Sequence, residues 1–257
     1  MRRFRVGSID ADEAGELRVD ADVHRHLQVL RLQPGAVVHL FDGRGGEVEA
    51  QITDLGDAGA SLRLVRLLER RVESSLDSCL VQAVPARAAR METIVRQVTE
   101  VGVRRIVPVI AERSQQKRVT PAALERRAER WRRVADAAAE QSGRTRVPVV
   151  DSPAALEKLS WEGLPRPLFI AEVGAAEAAT LSGTRAPAVA EIDAEPAADA
   201  VTVLIGPEGG WSPGEIETAV EQSARMLSLG PRVLRADTAG TVALSLFQYL
   251  WGDLRNG

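Results

Sequence analysis

The amino-terminal part of the chain shows short apolar runs and a period-two alternation of apolar and polar residues. This pattern predicts strands at Val37–Phe41, Glu47–Ile52 and Ala60–Leu68. Turns rich in Asp and Gly separate these strands, as β-hairpins require. The pattern therefore predicts a compact β-barrel over residues 1–72.

Beyond residue 72, short buried runs alternate with segments of helical spacing. Strands are predicted at Leu80–Val84, Arg105–Ile110, Pro167–Ala171, Val201–Ile205 and Met226–Ser228. Helices are predicted at Met91–Val101, Pro121–Gln141 and Thr238–Gly252. Because this alternation is typical of parallel βαβ units, we expect an α/β domain over residues 73–257. The stretch from about 174 to 200 has little apolar periodicity, and we expect a variable insertion there.

The composition fits a folded chain of one large or two modest domains, because 45% of its 257 residues are hydrophobic and 27% are charged. No apolar run approaches the roughly 18 residues of a membrane helix, and the amino terminus lacks a signal-peptide core, so we expect a cytoplasmic protein that contacts no membrane. The single cysteine, Cys79, argues against disulfide, redox or zinc-cluster chemistry. His24, His26 and His39 lack Cys or acidic partners at ligand spacing, so we expect no metal.

The net charge of −3 hides an asymmetry along the chain. Residues 85–146 carry 15 Lys and Arg against 7 Asp and Glu, whereas residues 147–200 carry 3 against 9. A basic segment in an acidic protein indicates a surface for RNA or DNA, because phosphate contacts supply most of the sequence-independent affinity for nucleic acids. A solvated helix face is the alternative, and charge alone does not decide between the two.

A glycine-rich loop follows the predicted strand Val201–Ile205. Its sequence is Gly-Pro-Glu-Gly-Gly-Trp over residues 206–211, and Ser212 with Glu215 then forms the pattern of a capping box that opens a helix. Glycines permit close backbone approach, and the carboxyl ends of parallel strands are where open α/β sheets bind ligands. The loop is therefore a candidate ligand site, although an ordinary tight turn is the alternative.

A second loop lies between the predicted strand Met226–Ser228 and the apolar carboxyl-terminal helix. It runs from Leu229 to Ala239 and carries Arg232 and Arg235 among apolar residues. Alone this loop is a weak indication of function. It lies only about twenty residues after the glycine-rich loop, and the two loops together form a specific pattern.

The two loops together resemble the motif pair of the RsmE family, within the SPOUT class of S-adenosylmethionine-dependent RNA methyltransferases. The likeness covers nearly the whole chain except the insertion. The segments that resemble the family's amino-terminal PUA-like barrel are His26–Leu32 and Leu40–Gly43, and those that resemble its middle motifs are Met91–Glu92, Thr99–Val103 and Glu140–Arg144. Two positions depart from the family pattern, since Asp237 replaces a usual Glu and Gln97 replaces a common Lys.

The resemblance implies a SPOUT-type trefoil-knotted parallel-sheet α/β domain preceded by a small PUA-like β-barrel. It also implies a homodimer that methylates N3 of uridine 1498 in the 16S ribosomal RNA of the 30S subunit. The cofactor it implies is S-adenosylmethionine, held largely by main-chain groups. The residues expected to contact it are Leu204, Ile205, Gly206, Pro207, Glu208, Gly209, Gly210, Leu229, Gly230, Arg232, Val233, Leu234, Thr238 and Ala239.

For the chemistry, Arg235 and Arg232 are candidates to stabilise negative charge on the uracil carbonyl oxygens. Glu208 is a weaker candidate to accept the N3 proton, and its alternative role is to tie down backbone amides. The arginines expected to bind RNA are Arg2, Arg3, Arg5, Arg25, Arg31, Arg90, Arg96, Arg113, Arg118 and Arg144. Two other functions stay open: a SPOUT methyltransferase that modifies a ribose 2'-hydroxyl or a guanine, and a noncatalytic RNA-binding protein of ribosome assembly.

Overall fold

The computed structural model describes residues 2–57, 59–115, 119–171 and 192–255. Most of the predicted insertion, and Arg118 among the predicted RNA contacts, lie outside these ranges. The strands are β1 (Arg3–Arg5), β2 (Glu16–Arg18), β3 (Val37–Phe41), β4 (Glu47–Gly56), β5 (Gly59–Leu67), β6 (Asp77–Ala83), β7 (Arg105–Ile110), β8 (Val149–Val150), β9 (Ala154–Ala155), β10 (Leu168–Ala171), β11 (Ala200–Ile205) and β12 (Ala224–Leu227). The α-helices are α1 (Ala21–Val29), α2 (Ala88–Glu100), α3 (Pro121–Ser142), α4 (Pro213–Glu221) and α5 (Ala236–Leu250), and short 3₁₀ turns cover Leu156–Lys158 and Trp161–Gly163.

The chain divides into two compact units. The first contains Met1–Glu73 and Asp136–Val147, and the second contains Ser74–Ala135 and Pro148–Gly257. The carboxyl-terminal turns of α3 therefore belong to the first unit. The domain ranges predicted from the sequence, 1–72 and 73–257, instead assign residues 136–147 to the carboxyl-terminal domain.

The first unit is built on a five-stranded sheet in the order β1-β3-β4-β5-β2. Strand β1 pairs in parallel with β3, and the remaining neighbours are antiparallel. Alternate residues of these strands are buried and form one core with Val23 and Leu27 of α1. Helix α1 begins at Asp20, whose carboxylate accepts hydrogen bonds from the amides of Asp22 and Val23.

The second unit is a parallel sheet in the order β12-β10-β11-β6-β7-β8, with β9 also pairing β7. The predicted parallel-sheet α/β architecture is confirmed. Strands β11, β10 and β12 lie side by side, so the loops that leave the carboxyl ends of β11 and β12 start from the same edge of the sheet. This edge is where both glycine-containing loops of the sequence begin.

The described ranges contain neither a candidate membrane-spanning helix nor a candidate metal-binding cluster. Among their helices, none has the length and hydropathy that a membrane span requires. The same ranges contain no group of three or more His, Cys, Asp or Glu side chains that could hold a metal ion.

Candidate active site

The loop after β11 folds back on itself in a tight turn. The amide of Gly210 donates to the carbonyl of Pro207 over 2.9 Å, and Gly210 has a φ of +68°, a left-handed conformation that favours glycine. A Cβ on Gly206 would lie 3.3 Å from Nε1 of Trp211, which is tighter than ordinary contact. Trp211 itself is buried in the core of this unit, and its Nε1 has no hydrogen-bond partner within the described ranges. The turn is therefore shaped by glycines, with an indole donor beneath it.

The predicted capping box at the start of α4 is confirmed. The amide of Glu215 donates to Oγ of Ser212 over 3.3 Å, and the amide of Ser212 donates to Oε2 of Glu215 over 2.8 Å. The other carboxylate oxygen of Glu215 accepts the amide of Glu112 over 2.7 Å. The box thus ties the end of the glycine-rich loop to the segment that leaves β7.

Glu208 joins the glycine-rich loop to the segment that follows β6. Both of its carboxylate oxygens lie 3.3 Å from the amide nitrogen of Ala86, and Oε1 accepts Nη1 of Arg90 over 2.8 Å. The Glu208 side chain keeps 36% of its accessible surface. Of its two predicted roles, this geometry favours the fixing of a backbone amide.

Arg113 fixes the same loop from another direction. Its Nη1 donates to the carbonyl oxygen of Gly209 over 3.2 Å, and a Cβ on Gly209 would lie 3.3 Å from the Cβ of Arg113. Contacts from the segments after β6 and β7 therefore hold the loop in place.

The second loop presents open side chains. Arg232 and Arg235 are exposed, and Val233 keeps 75% of its accessible surface. Gly230 has a φ of +96°, and the space beside its Cα is open. Arg235 is the N-cap residue of α5 but makes no side-chain capping bond, so its guanidinium does not cap the start of the helix.

A cavity of about 160 Å³ lies beside the first turns of α5. Its lining residues come from α2 and α5 and are Thr93, Gln97, Asp237, Thr238, Thr241 and Val242. Oγ1 of Thr241 donates to Oε1 of Gln97 over 3.2 Å. Oδ1 of Asp237 is buried and has no hydrogen-bond partner within the described ranges.

The sequence pattern did not predict this cavity. Of its lining, only Thr238 was a predicted site residue, and Gln97 and Asp237 stood out only as departures from the family pattern. Gln97 of α2 and Asp237 of α5 line the same cavity, but 140 positions separate the two residues in the chain, so no local pattern indicates that they lie together.

Several of the predicted RNA-binding arginines of the first unit have partners inside that unit. Arg3 forms a bidentate pair with Glu47, Arg5 bonds Asp136 over 2.6 Å, Arg2 donates to the carbonyl of Leu30 and Arg25 lies 3.3 Å from Asp22. Burial raises the pKa of Asp136, an effect that the Arg5 guanidinium opposes.

Arg144 is buried against Glu73. Its side chain keeps only 4% of its accessible surface and donates to Oε2 of Glu73, while Oε1 of Glu73 accepts the amides of Thr145 and Arg146. The Arg144 guanidinium therefore pairs with Glu73 inside the first unit. Arg96 on α2 differs, because its side chain is exposed.

Comparison with protein families gives two matches. The model described as an RNA methyltransferase domain matches residues 72–248, and the model described as an RNA methyltransferase PUA domain matches residues 19–65.

Individual relatives and solved structures agree with these models. Ribosomal RNA small subunit methyltransferase E of Synechocystis is 35% identical over 91% of this chain and 72% of its own length, and that of Bacillus subtilis is 29% identical over 89% and 87%. The crystal structure of the Neisseria gonorrhoeae enzyme of that name, bound to S-adenosylmethionine, superposes with a TM-score of 0.84 at 30% identity, covering 99% of both chains. A Legionella pneumophila methyltransferase in complex with the same cofactor also has a TM-score of 0.84, at 29% identity over 98% of both chains.

Proposed function

The chain belongs to the ribosomal RNA small subunit methyltransferase E family, and we propose that it transfers a methyl group from S-adenosylmethionine to the RNA of the small ribosomal subunit. The observation that carries this proposal is the arrangement of the two loops. They leave the parallel strands β11 and β12, which pair with opposite sides of β10, at one edge of the sheet, and the first loop is fixed there by Glu208, Arg113 and the capping box.

The residues of these loops fit the cofactor. In the first loop, Gly206 lies close to Trp211 and Gly210 is left-handed, and Nε1 of Trp211 has no hydrogen-bond partner among the described residues. In the second loop, Gly230 is also left-handed, and the space beside its Cα is open. The main-chain groups of residues 204–210 and 229–234, together with Thr238 and Ala239, would hold S-adenosylmethionine. When bound, the cofactor supplies a methyl group activated by a sulfonium centre.

For the acceptor we propose N3 of uridine 1498 of the 16S ribosomal RNA, as the family resemblance implies. N3 lies on the base-pairing edge, so the uridine must be unpaired or flipped out of its helix. The exposed guanidinium groups of Arg232 and Arg235 would stabilise the negative charge that develops on the uracil carbonyl oxygens. Arginine suits this task because it is permanently charged and offers donors in a planar fork.

Three further properties are part of the proposal. The chain would form a homodimer, which agrees with the exposure of Val233, Tyr249 and Leu254 near its carboxyl-terminal helix. The two loops would form a trefoil knot, and the enzyme would act in the cytoplasm on the 30S subunit. Analytical ultracentrifugation of the purified protein tests the homodimer.

The decisive experiment is methyl transfer to purified small ribosomal subunits and to naked 16S RNA, followed by mass-spectrometric location of the product. The subunits should come from a strain that lacks this methyl group. We expect one 3-methyluridine at position 1498. A methyl group on a ribose or on another base would contradict the proposed acceptor, and the absence of both transfer and cofactor binding would contradict the proposed function.

A further inference from the structure

Methylation at N3 of uracil needs a group that accepts a proton. The imide nitrogen carries a hydrogen and is only weakly acidic, so its electron pair becomes available for attack once that proton leaves. Glu208 is the acidic residue of the glycine-rich loop, but its carboxylate is engaged by the Arg90 guanidinium and the Ala86 amide. Because these bonds commit the carboxylate to holding the loop, another carboxylate of this unit is the better candidate for the proton acceptor.

A second carboxylate has an unused oxygen in a cavity. Oδ1 of Asp237 is buried without a partner in the described part of the chain, and Asp237 lines the cavity between α2 and α5. A buried carboxylate oxygen without a donor is costly unless a ligand or water satisfies it. Asp237 follows Arg235 by two residues, in the first turn of α5.

The cavity has the size and chemistry of a site for one uracil ring. An apolar cavity of about 150 Å³ binds benzene, so about 160 Å³ admits a single six-membered ring. The base-pairing edge of uracil presents an acceptor, a donor and an acceptor in order: O4, N3–H and O2. The lining offers the carboxylate of Asp237 as acceptor and the NH₂ group of Gln97 as donor, whereas the Thr93 hydroxyl donates to the carbonyl oxygen of Ala89. Because Thr241 donates to Oε1 of Gln97, the NH₂ group of that amide keeps its two N–H donors.

We propose that this cavity receives the target uracil and that Asp237 takes the proton from N3. This inference rests on the proposed function and adds to it the residue that prepares the acceptor. The N3–H bond breaks as an O–H bond forms on Asp237, and the electron pair of the broken bond stays on N3. That pair then forms the bond to the methyl carbon while the carbon–sulfur bond breaks and its electrons remain on sulfur. The proton on Asp237 passes to water when the product leaves.

The test compares Asp237→Asn, Asp237→Glu and the control Asp253→Asn, which changes an exposed carboxylate of the same unit. Methyl transfer to small subunits is measured at saturating cofactor from pH 6.5 to 9.5, and cofactor affinity is measured by calorimetry. We expect Asp237→Asn to slow turnover by at least about 100-fold at pH 7 with cofactor affinity unchanged within about threefold. Asp237→Glu should recover at least a tenth of wild-type activity, and Asp253→Asn should match wild type.

The pH profile separates a proton acceptor from a merely structural residue. As pH rises, uridine loses the N3 proton to solvent without help, so the activity of Asp237→Asn should climb toward that of wild type. A loss of activity that stays constant across the pH range, or activity of Asp237→Asn within about threefold of wild type, would overturn the inference. The proposed function would survive either result, because wild-type transfer to position 1498 is measured in the same experiment.

A second variant covers the case in which Asp237→Asn binds no cofactor. Gln97→Met removes the amide donors at similar volume, and we expect it to raise KM for small subunits at least threefold without changing cofactor affinity. An unchanged KM would overturn the placement of the base. A shift of the dimer dissociation constant with no change in KM would instead assign the cavity to a side chain of a second copy, and would overturn the inference as well.

Discussion

The partners of Glu208 lie more than a hundred positions away in the chain. The sequence predicted that this residue belongs to a ligand site, because glycines surround it after a buried strand. It left two roles open, proton transfer and the fixing of backbone amides, since nothing in the local sequence identifies Ala86 and Arg90 as neighbours. The same limit applies to Asp237, whose cavity forms only when α2 packs on α5.

Glu208→Gln should therefore weaken cofactor binding and leave the chemical step largely intact. The Arg90–Glu208 pair is about one-third exposed, so its loss is expected to raise the dissociation constant of S-adenosylmethionine by roughly two- to fivefold. Calorimetry on Glu208→Gln, Arg90→Gln and the double variant measures the coupling, with Glu217→Gln on the exposed face of α4 as control. If turnover by Glu208→Gln instead slowed about 100-fold while cofactor affinity stayed unchanged, Glu208 would be the proton acceptor.

Cys79 provides a prediction about reactivity. The residue lies in β6 with no exposed surface, and burial raises the pKa of its thiol to about 12. A raised thiol pKa means that the reactive thiolate is scarce below that value, so the native protein should resist iodoacetamide at pH 8. Mass spectrometry should find one labelled cysteine only after unfolding in guanidinium chloride. Rapid stoichiometric labelling of the native protein would contradict the burial of this strand.

At the level of secondary-structure elements, the sequence predicted best where the pattern is local. Strands β3 and β7 have the predicted bounds, and α3 ends one residue beyond its prediction. The three-residue strands β1 and β2 were missed, because β1 is an Arg-Phe-Arg segment that gains its conformation by pairing with β3. Helix α1 was missed as well, since its nine residues bury only Val23 and Leu27 and give a short apolar pattern.

The start of α4 gives a test of local structure, because its capping box was visible in the sequence. Ser212→Ala removes one of the two reciprocal bonds and should lower the free energy of unfolding by about 1 kcal/mol. For a domain of this size that corresponds to a melting temperature about 2–4 °C lower by calorimetry. Ser160→Ala is the matched control, because Ser160 starts a 3₁₀ turn without a side-chain capping bond. Equal melting temperatures for the two variants would contradict the contribution of the cap.

For the molecule as a whole, alternation of strands and helices was enough to predict a parallel α/β sheet, but not the order of its strands. That order, β12-β10-β11-β6-β7-β8, depends on pairings between segments far apart in the chain, such as Leu204 with Val81. Residues 136–147 show the same limit, because residues 136–142 continue the helix α3 that begins in the second unit, yet the whole segment belongs to the first unit. The family resemblance predicted the function, because each loop motif is a contiguous run of residues that can be recognised in the sequence. The strand order has no such contiguous pattern.

The predicted RNA-binding arginines divide by what surrounds them, and this division predicts different consequences of mutation. Arg96 is exposed, so Arg96→Gln should weaken binding to small subunits, reduce the slope of log affinity against log salt by up to about one and leave the melting temperature unchanged. Arg144 is buried against Glu73, so Arg144→Gln leaves a carboxylate without its cation and should cost about 3 kcal/mol of stability. Filter binding from 50 to 300 mM KCl and calorimetry of both variants provide the comparison. The division would fail if Arg144→Gln lowered the salt slope while keeping the wild-type melting temperature, because the guanidinium would then face RNA rather than Glu73.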